Sequence, residues 1–208
     1  MKRFENVAAF ILAGGDSSRM GRDKGLLEFG GVPLIFRTAH LLMPIVATVT
    51  VVGSPNRYAV LGLRAIGDEV VREEGTSPEP LAGISSALRA TSTPWNLILA
   101  CDLPYLTIDW LNWLLSRAMD SRAQIVVPRT SQGLEPLAAV YHRECAETID
   151  AAIARGVRRV TDAVAELRSE PVHASEWRGF DPDGLVLRNM NALEDYEAAK
   201  KMVGSQAV

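Results

Sequence analysis

The stretch VAAFILAGGDSSRMGRDKGLL, Val7 to Leu27, sets an apolar run against a glycine pair and then a basic segment. From Val7 to Ala13 no residue is charged or polar, which is how a strand buried on both faces reads. The run stops at Gly14 and Gly15. Adjacent glycines let the backbone approach a ligand closely and turn successive N–H groups inward as an anion nest. Ser17 and Ser18 add hydroxyl donors, Arg19 can grip a phosphate through two parallel hydrogen bonds, and Lys24 can place a point charge on it. A glycine turn with a solvated basic flank is the plainer alternative. Two familiar phosphate loops are excluded. A Walker loop needs Lys and Ser/Thr after its last glycine, but Gly21 is followed by Arg22 and Asp23. The dinucleotide fingerprint needs Gly-x-Gly-x-x-Gly, but here the first two glycines are adjacent.

Working outward, similar apolar runs recur at 46–53 (VATVTVVG), 96–101 (NLILAC) and 124–128 (QIVVP). Between them lie segments with apolar residues at helical spacing: PLIFRTAHLL, with Pro33 at a first-turn position, then LAGISSALRA and DWLNWLLSRAM. Strand followed by helix, repeated, predicts βαβ units, a mainly parallel sheet and helices on both faces. Past about Ser121 the pattern is less regular. GLEPLAAVYHRE reads as a strand entering a helix, TIDAAIARG and RRVTDAVAELR as helices, and LRNMNALEDYEAAKKM as a strand end passing into a terminal helix. No repeat, low-complexity tract or linker interrupts the chain, so one domain over residues 1–208 is expected.

In such sheets ligands bind at the carboxyl ends of the strands. Asp102 follows the run that ends at Cys101, so its carboxylate is expected at that edge. Magnesium commonly takes one or two protein carboxylates and completes its shell with phosphate oxygens and water. Asp102 is therefore either such a ligand or a turn aspartate before Pro104.

Composition narrows the classes further. With 48% hydrophobic and 23% charged residues the chain reads as a soluble globular protein, and a net charge of −3 gives no general reason to bind nucleic acid or a membrane surface. Cys101 and Cys145 are the only cysteines, which excludes a disulfide framework and a four-thiolate zinc site. His40, His142 and His173 show no metal-ligand spacing. The apolar segment 7–13 is too short to span a bilayer, and the glycine loop after it favours a first strand over a signal sequence. A cytoplasmic setting is expected. Trp110, Trp113 and Cys101 are expected to pack in the core, and Cys145 has no basic neighbour to make it a nucleophile.

LAGGDSSRMGRDKGLL resembles the Leu-Ala-Gly-Gly-x-Ser-x-Arg-Met-Gly-x-Asp-Lys signature of nucleotidyltransferases, and more narrowly that of the molybdenum cofactor guanylyltransferase family. EPLAGISSAL, LILACDLPYL, LEPLAAVY, GVRRV and NMNALEDYE are similar to further stretches of that family, in the same order. The resemblance implies a three-layer αβα fold with a Rossmann-like sheet of the nucleotide-diphospho-sugar transferase type. It implies transfer of GMP from GTP to the terminal phosphate of molybdenum-molybdopterin, with release of pyrophosphate and with Mg²⁺ as cofactor. Molybdoenzymes or their chaperones would be further partners.

Residue by residue, the resemblance puts the nucleotide on Leu12, Ala13, Gly14, Gly15, Ser18, Arg19, Lys24, Gly83 and Asp102, with Asp102 on the metal. Arg19, Lys24 and Asp102 would carry catalysis. The family's acidic residue after the third strand falls within DEVVREEGTSPEP, where Glu73 is the nearest counterpart and Glu74 the next, and Glu79 replaces the family's glycine before Pro80. The N-terminal half is thus expected to bind nucleotide and the C-terminal half the acceptor, through Glu135, Arg158, Asn189 and Asn191. Asn191 is open to a second role near the metal, both asparagines to a capping role, Gly83 to packing at a helix start, and Arg158, with Arg155 and Arg159, to a solvated basic face. Two rival readings remain: a CTP-dependent or other small-metabolite nucleotidyltransferase, and a nucleotide-binding sensor without catalysis.

Overall fold

The computed structural model describes residues 2–13, 24–67 and 80–190. The strands are β1 (Phe4–Leu12), β2 (Glu28–Phe29), β3 (Val32–Pro33), β4 (Val46–Val52), β5 (Ala65–Ile66), β6 (Trp95–Ala100), β7 (Ile125–Thr130), β8 (Gly133–Leu134), β9 (Ala138–His142) and β10 (Ser169–His173). The helices are α1 (Leu34–Leu42), α2 (Pro55–Ala59), α3 (Pro80–Ala90), α4 (Ile108–Asp120), α5 (Cys145–Ala154), α6 (Val160–Val164) and α7 (Ala174–Trp177).

One sheet runs β10-β7-β9-β6-β1-β4-β5, with β8 paired to β7, while β2 and β3 form a separate hairpin. β1 lies in the middle, parallel to both β4 and β6. Its side chains alternate between two cores. Val7, Ala9 and Ile11 pack with Ile35, Ala39 and Leu42 of α1 and with Trp110, Leu111 and Leu114 of α4. Ala8, Phe10 and Leu12 pack with Leu81, Ile84 and Leu88 of α3 and with Ile149 and Ala152 of α5. This is why the sequence shows no polar alternation here: each face of the strand meets a helix layer. The expected three-layer arrangement is present.

The second half departs from the simple βαβ reading. GLEPLAAVYHRE is two strands, β8 and β9, separated at Glu135–Leu137. Pro136 has no N–H for the ladder, which ends regular pairing there. β9 is antiparallel to both neighbours, β6 and β7, whereas β10 returns parallel to β7. RRVTDAVAELR forms only the five-residue α6. Residues 187–190 form no strand, and 191–208 lie outside the described residues. Pro33 stands just before α1 as its N-cap residue rather than inside the first turn. β10 carries Pro171 and is largely exposed, as suits an edge strand.

Candidate active site

The exit of β1 is fastened on all sides. Ala13 donates its N–H to Val52 O at 2.8 Å, and its carbonyl accepts the Tyr58 hydroxyl at 3.0 Å. Gly53 lies so near that a Cβ there would meet Ala13 O at 3.0 Å and the Tyr58 ring at 3.2 Å. On the other face, a Cβ on Gly83 would touch the Leu12 side chain at 3.4 Å, so α3 rests directly on the last residue of β1. The loop that follows, with Gly14, Gly15, Ser18 and Arg19, lies outside the described residues, as do Glu73 and Asn191. Lys24 opens a 3-10 helix, Lys24–Leu26, that leads into β2.

Asp102 sits one strand away. Cys101 N–H bonds Leu12 O at 3.1 Å, so the ends of β1 and β6 are in register and the half-buried Asp102 follows at the carboxyl edge. Ala100 N–H donates to Leu137 O at 2.8 Å. The reversal of β9 thus brings the start of that strand to the same edge where the others end. Glu135 comes with it: its N–H bonds Pro128 O at 2.8 Å and its Oε1 accepts from Thr130 Oγ1 at 3.0 Å. Burial raises the Glu135 carboxyl above its ordinary value, and the Thr130 hydrogen bond offsets part of that rise. Along the edge the order is therefore β1 exit, Asp102, Glu135.

The segment before residue 191 also reaches this edge. Met190 donates its N–H to Asp102 O at 3.0 Å, which leaves exposed Asn189 next to the Asp102 turn. Arg158 is exposed on the connection between α5 and α6 and shares no strand end with Asp102. Arg155 is taken up by Glu166, which it meets with one nitrogen at 2.6 Å from both oxygens.

Other groups are packing. Trp110 is buried edge-on to Trp177. The Cys145 thiol is pushed up to about 12, chiefly by burial, so it stays protonated and unreactive near neutral pH. Sequence reasoning missed Gly53, Tyr58, Arg37 and Met190. Gly53 alone carried a signal, because it ends an apolar run as Gly14 does; the others depend on partners far along the chain.

Among the described residues there is no group of three or more His, Cys, Asp or Glu able to hold a metal ion. A cation here would take one carboxylate, Asp102, with phosphate oxygens and water completing its shell. That donor set suits Mg²⁺ and not a thiolate or imidazole metal. No described helix is long and apolar enough to cross a membrane.

The chain and its fold have counterparts among known proteins. The model of the MobA-like NTP transferase domain matches residues 9–170. A probable molybdenum cofactor guanylyltransferase of Synechococcus elongatus is 35% identical over 199 residues, covering 93% of this chain and 97% of its own. Another, from Natranaerobius thermophilus, is 29% identical over 203 residues, covering 96% and 98%. Among solved structures, molybdopterin-guanine dinucleotide biosynthesis protein A of Archaeoglobus fulgidus superposes with a TM-score of 0.81 at 22% identity, over 95% of this chain and 99% of that one. The 2-C-methyl-D-erythritol 4-phosphate cytidylyltransferase of Thermus thermophilus does so at 0.70 and 17% identity, over 97% and 100%. These likenesses establish the fold as that of the nucleotide-diphospho-sugar transferases. Because the family match runs from β1 into β10 and takes in Asp102 and Glu135, the chain belongs to the MobA-like NTP transferase family and is a nucleotidyltransferase.

Proposed function

We propose that this enzyme transfers GMP from GTP to the terminal phosphate of molybdenum-molybdopterin and releases pyrophosphate. The observation that carries the reading is the order along the carboxyl edge, with the β1 exit and Glu135 on opposite sides of Asp102. Two anionic substrates can meet there across one carboxylate. The names of the relatives supply the identity of those substrates. In this reading the chain is one domain over 1–208, acts in the cytoplasm, and passes its product to molybdoenzymes or their chaperones.

The loop amides of Gly14 and Gly15, with Ser18 and Arg19, cradle the triphosphate, and Lys24 adds charge against it. Leu12, Ala13 and Gly83 set the wall on which the base rests, and Glu73 accepts from the guanine amine. An oxygen of the acceptor phosphate attacks the α-phosphorus, and the bond from that phosphorus to the bridging oxygen of the β-phosphate breaks. A phosphomonoester with a second pKa near 6 is already mostly a dianion at neutral pH, so no base has to remove a proton. Mg²⁺ held by Asp102 would neutralise charge on the departing pyrophosphate. Glu135, Arg158, Asn189 and Asn191 hold the acceptor, with the pterin's N–H groups as the natural partners of the Glu135 carboxylate. The residues thus work by positioning and charge neutralisation.

The test is calorimetric titration with GTP, CTP, ATP and UTP, each with Mg²⁺, followed by pyrophosphate release with molybdenum-molybdopterin. Preference for GTP and release dependent on the acceptor support the reading. Preference for CTP changes the product, and binding of no nucleotide overturns catalysis in favour of a sensor.

A further inference from the structure

Three segments carrying candidate site residues share no strand: the 3-10 helix Lys24–Leu26, the turn after β6, and the segment ending at Met190. One small apolar cluster joins the residues just after the first of these to the other two. Met190 is 2% exposed and packs with Phe29 and Leu34, with Leu27 and Tyr105 against them. The Tyr105 ring stands edge-on to Phe29, with centroids 5.7 Å apart. Arg37, one turn along α1 from Leu34, lays its guanidinium 5.2 Å from the Phe29 centroid and donates Nε–H to Pro104 O at 3.0 Å. The turn bearing Asp102 is therefore held from two directions: by Arg37 at the Pro104 carbonyl and by Met190 at the Asp102 carbonyl.

Met190 carries no charge, yet it is buried while Arg188 and Asn189 just before it are exposed. A flexible thioether fills an irregular gap well, and here the gap is formed by the segment that follows Lys24 and the turn that follows Asp102. We propose that Met190 is a positioning residue: seated on Phe29, Leu34 and Tyr105, it registers the acceptor-side segment at Asn189 against the Asp102 turn and so sets the spacing between the two substrates. The inference rests on the assignment above of Asp102 to the nucleotide and Asn189 to the acceptor. In-line transfer is sensitive to that spacing, since a misplacement of about 1 Å costs on the order of 10²-fold in rate.

The experiment compares full-length wild type with Met190→Ala, Met190→Leu and Phe29→Ala. In Met190→Ala the KM for molybdenum-molybdopterin should rise about tenfold and kcat should fall about tenfold. The calorimetric Kd for GTP should stay within about twofold, because β6 and Arg37 still hold the Asp102 turn. Met190→Leu should restore most of the loss, and Phe29→Ala should reproduce it from the other side of the cluster. Hydrogen exchange at the Met190 amide should quicken at least about tenfold in Phe29→Ala. Unchanged kinetics in Met190→Ala overturn the proposal. So does a loss of GTP affinity as large as the loss for the acceptor, which marks a merely structural residue. If the wild type binds no nucleotide, the assigned reaction fails by itself, and the exchange rate decides registration: an amide as slow in Phe29→Ala as in wild type overturns it.

Discussion

Asp102→Ala and Lys24→Ala should each lower kcat by at least about 10²-fold in a pyrophosphate-release assay while leaving the far-ultraviolet circular dichroism unchanged. Turnover near wild type in either variant removes the role assigned to that residue. Gly53→Ala acts through the backbone instead. Its Cβ would press on Ala13 O at 3.0 Å, so an overpacking cost of about 1–3 kcal/mol should appear as a lower melting temperature. Because Ala13 leads directly into the glycine loop, GTP affinity should fall with it. Glu135 predicts a pH effect. Its folded carboxyl holds a proton more tightly than the unfolded chain does, since burial raises it above the ordinary value of 4.5. Glu135 therefore favours the fold at low pH, and that contribution is lost as pH rises through the raised value. In urea melts carried upward from pH 4.5, Glu135→Gln should flatten this part of the stability curve. Asp102 was legible from sequence because an apolar run delivers it to a strand end. Met190 was not, because its burial is decided by Phe29 and Tyr105, and a lone methionine between two asparagines carries no such information.

At the scale of elements, the strands buried on both faces and the helices packed on them could be read from apolar runs and helical spacing. Direction could not. An apolar strand has the same pattern whether it runs with its neighbours or against them, so the reversal of β9 emerges only from its pairing with β6 and β7. β10, as SEPVH with alternating exposure and a proline, has too little apolar character to announce itself. α4 shows the opposite case, a boundary written in one residue: the Thr107 side chain accepts the Trp110 N–H at 3.3 Å. Thr107→Ala should cost about 0.5–2 kcal/mol, read as a lower urea midpoint with unchanged slope. A larger loss would mean that Thr107 supports more than the cap.

For the molecule as a whole, the reversed β9 brings a strand beginning, with Glu135, to the edge where the parallel strands end. In the proposed reading the strand ends would serve the nucleotide and the strand beginning the acceptor. Both cysteines are buried within the layers. A thiol reagent such as iodoacetamide should therefore leave the folded chain unlabelled at neutral pH and modify both thiols after denaturation. Labelling of the native protein would show that the layers open more readily than their packing implies.

The central place of β1 has a consequence for synthesis on the ribosome. Its second neighbour, β6, is made roughly 90 residues later, which at about 5–20 residues per second is a wait of some 5–20 seconds. Throughout that interval the apolar segment FENVAAFIL emerges with one long edge unpaired, a natural target for a holding chaperone and, without one, a seed for association between nascent chains.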